Sequence, residues 1–150
     1  KAQDLFVIRN HLNFSGFNPL IGENLEEYGE RFPDLAYPYD RDCIQQIKEL
    51  AAQEHIELKE GVYAMFSGPS YETVMETYMA RLGADIVGMS TIPEVIIANH
   101  CGMKVLALSG VPCPAAAYSD QEITHEQVME NCQSISDKAM ILIGRFIKEL

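Results

Sequence analysis

Four short apolar runs alternate with stretches of helical period along the chain. Residues 5–8 (Leu-Phe-Val-Ile), 61–66 (Gly-Val-Tyr-Ala-Met-Phe), 85–89 (Asp-Ile-Val-Gly-Met) and 103–108 (Met-Lys-Val-Leu-Ala-Leu) read as buried strands. After the first run, residues 10–39 are rich in Asn, Gly and Pro and keep no period, which predicts a long loop, and loops of that length tend to be functional. Asp40 then offers a helix cap, with Ile44, Ile47, Leu50 and Ala51 at helical spacing. The second run stops at Gly68-Pro69, and residues 71–82 return to helical spacing before Gly83. Thr91-x-x-Glu94 is a capping-box pattern with Pro93 in the first turn, so a helix is expected from Ile92 to Cys101, closing at Gly102. Residues 110–123 read as a loop. Thr124-x-x-Gln127 is a second capping box, opening a long amphipathic helix through Val128, Ile135, Ala139, Leu142, Ile143 and Phe146. The alternation predicts an α/β fold: a largely parallel, or mixed, central sheet flanked by helices, in a single domain over residues 1–150.

Composition narrows the picture without deciding it. The 150 residues are 47% hydrophobic and 22% charged, enough for a real core. The formal net charge of −11 disfavours nucleic acid or an anionic membrane as partner. Much of the acid, such as Glu23, Glu26, Glu27 and Glu30, reads as solvated helix faces. No apolar run approaches the roughly 20 residues needed to cross a bilayer. Cys43, Cys101, Cys113 and Cys132 form no Cys-x-x-Cys pair and no zinc pattern. Reduced thiols in a cytoplasmic setting are the expectation.

Candidate chemistry gathers at two strand-to-helix corners. In open α/β sheets ligands bind outside the carboxyl ends of the strands. At the first corner, Tyr71 can stack on a flat ligand, and Glu72 can accept hydrogen bonds from a ring N–H and an amine. The same two residues also suit a surface aromatic and an acid placed for the helix dipole. At the second corner, Gly88-Met89-Ser90-Thr91 combines free N–H groups with two hydroxyls, a pattern that suits an anion such as phosphate. It equally suits a plain helix cap completed by Glu94. His11, His55, His100 and His125 have no metal-ligand spacing. His55 is expected in solvent, and His100 sits near a helix C-terminus. His125 follows the capping Thr124 and can face a site. There is no Gly-x-Ser-x-Gly elbow, Walker loop or dinucleotide fingerprint. The nearest cations in sequence, Arg9, Arg31, Arg41 and Arg81, fall outside the key loops, so these residues look like part of a phosphate-handling site.

The runs 63–73 (Tyr-Ala-Met-Phe-Ser-Gly-Pro-Ser-Tyr-Glu-Thr) and 88–102 (Gly-Met-Ser-Thr-Ile-Pro-Glu-Val-Ile-Ile-Ala-Asn-His-Cys-Gly) resemble the C-terminal half of the trimeric purine nucleoside phosphorylases. The likeness extends to Asn18-Pro19-Leu20-Ile21-Gly22, Arg31-Phe32-Pro33, residues 36–40 and Thr124-His125-Glu126, and so covers essentially the whole chain. It implies reversible phosphorolysis of purine (deoxy)nucleosides to free base and pentose 1-phosphate. The co-substrate is inorganic phosphate, and neither metal nor redox cofactor is called for. By this resemblance Glu72 bonds the purine edge and Tyr71 packs on the base. Tyr63 and Met89 line the sugar site, Ser90 contacts phosphate, and His125 bonds the ribose 5′-hydroxyl. Phe32 reaches a neighbouring subunit's pocket, which implies a homotrimer.

Two departures qualify the resemblance. Members of the family run to nearly twice this length. The chain is therefore expected to be the C-terminal portion of a longer phosphorylase, whose remaining part carries the main phosphate loop. Residues 1–150 alone are expected to be inactive. Where the family has a Thr-Asn pair whose amide meets the purine, this chain has Pro112-Cys113. A thiol lacks the amide's two-ended hydrogen bonding, and proline lacks the backbone donor. Two alternatives follow: a non-catalytic nucleoside-binding or assembly subunit of the same fold, or a methylthioadenosine-type phosphorylase. His125 argues against the latter, because it suits a free 5′-hydroxyl.

Overall fold

The computed structural model describes residues 2–118 and 124–150. Strand β1 (Asp4–Asn13) leads through a long irregular stretch to helix α1 (Arg41–Gln53). Strand β2 (Leu58–Met65), helix α2 (Val74–Arg81), strand β3 (Ile86–Gly88) and helix α3 (Ile92–His100) follow. Strand β4 (Leu108–Val111), a 3₁₀ turn (Ala116–Tyr118) and helix α4 (His125–Lys148) complete the order. The four strands form one mixed sheet in the order β3-β2-β1-β4. β1 and β2 run parallel, as do β2 and β3, whereas β4 is antiparallel to β1.

Burial follows the apolar pattern. β2 occupies the sheet interior, and each residue from Gly61 to Met65 is buried. The predicted stripe of α1 (Ile44, Ile47, Leu50, Ala51) is buried as a set. α1 is started by Asp40, whose carboxylate accepts from the Cys43 backbone N–H at 2.9 Å. α1 and α4 pack against each other and against β1. On α4 the apolar positions divide: Ile135, Leu142 and Phe146 are buried, while Ile143 is exposed. Arg145 ties the two helices together through Glu54 and Gln53 at the end of α1. Each fully buried aliphatic chain in this set stabilises the fold by about 1.5–3 kcal/mol.

Several boundaries differ from expectation. β1 does not stop at Ile8 but continues to Asn13, with its register on β2 shifting between Ile8 and Asn10. The shift skips Arg9 and returns Asn10 and His11 to the ladder opposite Val62 and Tyr63. The run 103–108 forms a strand only from Leu108 onward. Val105 and Ala107 instead spend their carbonyls on Asp40 N and Ile8 N, at 2.8 and 2.9 Å. Glu23, Glu26, Glu27 and Glu30 are exposed as expected, but on irregular backbone rather than on helix faces. Of the loop expected over 110–123, residues 119–123 lie outside the described residues.

The helix starts at the two corners also differ. α2 carries a capping box the sequence reading passed over: Thr73 accepts from Glu76 N at 3.2 Å, and Glu76 accepts from Thr73 N at 2.7 Å. Thr91 makes no side-chain cap, and Glu94 is exposed without completing one. Thr91 sits instead at φ 77°, ψ −50°, with Ile92 N bonded to Ser90 O at 2.9 Å. That is a γ-turn, a strained conformation for a β-branched residue. The two threonines should therefore respond oppositely in thermal melts. Thr73→Ala is expected to cost about 0.5–2 kcal/mol. Thr91→Gly should leave stability equal or raised, because glycine reaches positive φ without steric cost. Equal destabilisation by both would contradict the γ-turn assignment.

Candidate functional site

Because β2 and β3 run parallel, their carboxyl ends emerge side by side, and the two corners meet there. A β-carbon on Gly68 (φ 64°) would come within 2.5 Å of Met89 Sδ, so only glycine lets the chain pass so close to that side chain. Tyr63 is buried to 3% exposure on β2, and its hydroxyl accepts from Ser90 N at 3.3 Å. Ser90 Oγ lies 3.3 Å from Thr91 Oγ1. Tyr63, Met89, Ser90 and the strained Thr91 thus form one continuous wall. Backbone strain of this kind clusters at functional sites.

A cavity of about 650 Å³ opens along β3, whose Ile86 and Val87 line it. Tyr71 and Glu72 from the first corner line it, together with Pro112 and Cys113 from the segment after β4. Tyr71 is 41% exposed, leaving ring surface available. Glu72 is half-buried, and burial pushes its carboxyl above the ordinary 4.5, assisted by the nearby charge of Glu76. The capping work at this helix start is done by Thr73 and Glu76. Glu72 is therefore not needed there, and it lines the cavity with its carboxyl partly desolvated. Cys113 is half-buried, and Asn131 of α4 donates from Nδ2 to its Sγ at 3.8 Å.

The structure brings Tyr71, Glu72 and Cys113 around one cavity, whereas Tyr63, Met89 and Ser90 gather at the second corner and do not line it. Phe32 and His125 do not line this cavity. Phe32 is 85% exposed, with the Arg31 guanidinium 5.8 Å from its ring centroid, and His125 is exposed at the first position of α4.

Two groups escaped the sequence reading. Arg81, one of the cations that fall outside the key loops, lines the cavity and lies 5.6 Å from the ring centroid of Tyr118. Its signal was helical spacing: Thr77, Ala80 and Arg81 follow Thr73 along one face of α2 and all border the cavity. The second is a pair near Tyr63, which is opposite His11 in the β1–β2 ladder: His11 Nδ1 and Tyr39 Oη are 3.0 Å apart. Burial lowers the His11 pKa and raises that of Tyr39, so both are neutral at pH 7. The remaining histidines divide: His55 is exposed as expected, whereas His100 is buried with Nε2 3.2 Å from Asn24 Oδ1.

The chain is similar to known proteins over essentially its whole length. Purine nucleoside phosphorylase 1 of Bacillus subtilis is 41% identical over 150 residues, covering 99% of this chain and 55% of the relative. Purine nucleoside phosphorylase 1 of Geobacillus stearothermophilus is 44% identical over 148 residues, covering 98% and 53%. The crystal structure of Schistosoma mansoni purine nucleoside phosphorylase in complex with inosine superposes with a TM-score of 0.92 at 34% identity, covering 100% of this chain and 56% of that one. The chain spans about half the length of the curated relatives it matches. The family profile of the phosphorylase superfamily aligns with residues 1–148, and the chain belongs to that superfamily.

Proposed function

We propose that this protein catalyses reversible phosphorolysis of purine (deoxy)nucleosides, releasing the free base and (deoxy)ribose 1-phosphate. The observation that carries the reading is the close approach of the two corners, where Gly68 of the first packs on Met89 of the second. Tyr71 and Glu72 line the cavity and offer an aromatic face and a carboxylate suited to a purine edge, and Tyr63, Met89 and Ser90 at the second corner suit sugar and phosphate. In this reaction the sugar develops positive charge and the base leaves with negative charge. Phosphate against the sugar stabilises the first, and hydrogen bonds to the base stabilise the second. The chemistry asks for inorganic phosphate as co-substrate and for no further cofactor. Ser90 supplies part of the phosphate site, and polypeptide outside these 150 residues supplies the rest, in keeping with relatives about twice as long. Residues 1–150 alone are then inactive, as the C-terminal portion of the enzyme.

The exposed Phe32 fits a homotrimer in which its ring enters the neighbouring subunit's pocket, and the exposed His125 awaits the ribose 5′-hydroxyl. No helix among the described residues is long and apolar enough to cross a membrane, and a cytoplasmic setting suits an enzyme with four free thiols. The direct test is phosphate-dependent release of base from inosine or guanosine by the full-length protein. Release that requires phosphate is the expected result, and none from any purine nucleoside would reject the reading. The Pro112-Cys113 wall favours one competitor, a non-catalytic nucleoside-binding subunit, which calorimetry would reveal as binding without turnover.

A further inference from the structure

Pro112 and Pro114 bracket Cys113, and neither has an N–H to offer. Over those three cavity-lining residues the only polar hydrogens are the main-chain N–H and the thiol of Cys113. A thiol is both a weak donor and a weak acceptor, so its partner decides which role faces the ligand. That partner is Asn131, half-buried on α4, three residues beyond the cavity-lining Val128 and so on the same face of the helix. Its amide Nδ2 donates to Cys113 Sγ at 3.8 Å, occupying the sulfur as acceptor and leaving the S–H free to donate.

We propose that Asn131 is a positioning residue for base recognition: by donating to Cys113 it commits the thiol to the donor role on one wall of the pocket. Glu72, on the same cavity, is the acceptor. A donor on one wall and a carboxylate on another complement a 6-oxopurine, which offers ring and carbonyl acceptors beside an N1–H donor. A 6-aminopurine keeps the ring N7 acceptor but puts an amino donor in place of the carbonyl and an unprotonated N1 in place of the N–H, so the thiol loses its partner at the 6-position and the carboxylate its partner at N1. The inference rests on the phosphorylase reading and adds how the base is chosen.

The test is kcat/KM for inosine and for adenosine in the full-length protein, for wild type, Asn131→Leu, Asn131→Asp, Cys113→Ala and the double variant Asn131→Leu/Cys113→Ala. Asn131→Leu should lower the inosine-to-adenosine ratio about three- to ten-fold, the effect of one hydrogen bond. Asn131→Asp should lower it at least as far, since its carboxylate takes the S–H away from the ligand. The double variant should match Cys113→Ala, because Asn131 acts only through the thiol. A ratio unmoved by both Asn131 variants, or losses that add in the double variant, would overturn the assignment, as would equal losses on both nucleosides, which mark a structural role alone. A wild type that cleaves neither nucleoside would overturn the phosphorylase reading and this inference together. A wild type that cleaves them with an unchanged ratio in the variants overturns this inference alone.

Discussion

Replacing Glu72 with alanine is expected to lower kcat/KM for phosphorolysis of inosine by about 10²–10³, the scale of a hydrogen bond made chiefly in the transition state. The argument rests on what Glu72 does not do. Thr73 and Glu76 close the capping box of α2 between them, so the helix start is satisfied without the neighbouring carboxylate. Glu72 is nonetheless half-buried, and burial raises its pKa. A carboxyl held out of water without structural need is the usual signature of a group kept for a ligand.

The same shift predicts an opposite effect on stability. With the folded-state pKa above the ordinary 4.5, the native state holds the Glu72 proton more tightly than the unfolded chain does. The favourable contribution is complete below 4.5 and is lost as pH rises through the folded-state value. Glu72→Gln, which cannot ionise, should therefore melt higher than wild type at pH 7, and the advantage should vanish on acidification below 4.5. Activity should fall in the same variant. Kinetics and melting curves at the two pH values check both arms. A Glu72→Ala variant within three-fold of wild-type activity would remove Glu72 from the chemistry, and a Glu72→Gln variant destabilised at pH 7 would show the carboxylate to be structural.

Much of this architecture was legible in the sequence because its signals are local. The stripe of α1, the Asp40 cap, the Thr124 capping box and the two corners depend on residues within a few positions of one another. Misreadings arose where the deciding partner is remote. β1 runs on past Ile8 because β2 offers a ladder to polar residues, which an apolar run cannot announce. Val105 and Ala107 look like strand residues, yet their carbonyls go separately to Asp40 and Ile8. Thr91-x-x-Glu94 has the letters of a capping box, and a γ-turn turns the hydroxyl elsewhere. At the site, likeness to a family supplied the roles of Tyr71, Glu72 and Ser90. Arg81 and Asn131 lie in helices outside those motifs, and only the packing of α2 and α4 around the cavity brings them into view.

Gly88→Ala is expected to damage both fold and site, and Tyr63 is the reason. Gly88 ends β3 in parallel register with Met65, and its carbonyl accepts from Phe66 N at 2.9 Å. A β-carbon there would overlap the Tyr63 hydroxyl and lie 3.0 Å from its Cζ and 3.3 Å from Cε2. The ring is 3% exposed and cannot swing into solvent, so either β3 or the ring must shift. Overpacking of this kind costs about 1–3 kcal/mol, and a domain of this size loses roughly 2–4 °C in Tm for each kcal/mol. The shift also releases Ser90 N from the Tyr63 hydroxyl and moves the wall that carries Met89, so kcat/KM should fall by about ten-fold or more, as small misplacements of reacting groups do. Tyr63→Phe alone should be mild, losing one hydrogen bond worth about 0.5–1.5 kcal/mol. In Gly88→Ala/Tyr63→Phe the overlapping oxygen is gone, so the double variant should melt higher than Gly88→Ala alone. Costs that simply add would show that the two side chains do not meet, and a Gly88→Ala protein with wild-type stability and activity would show that the wall does not depend on this close approach.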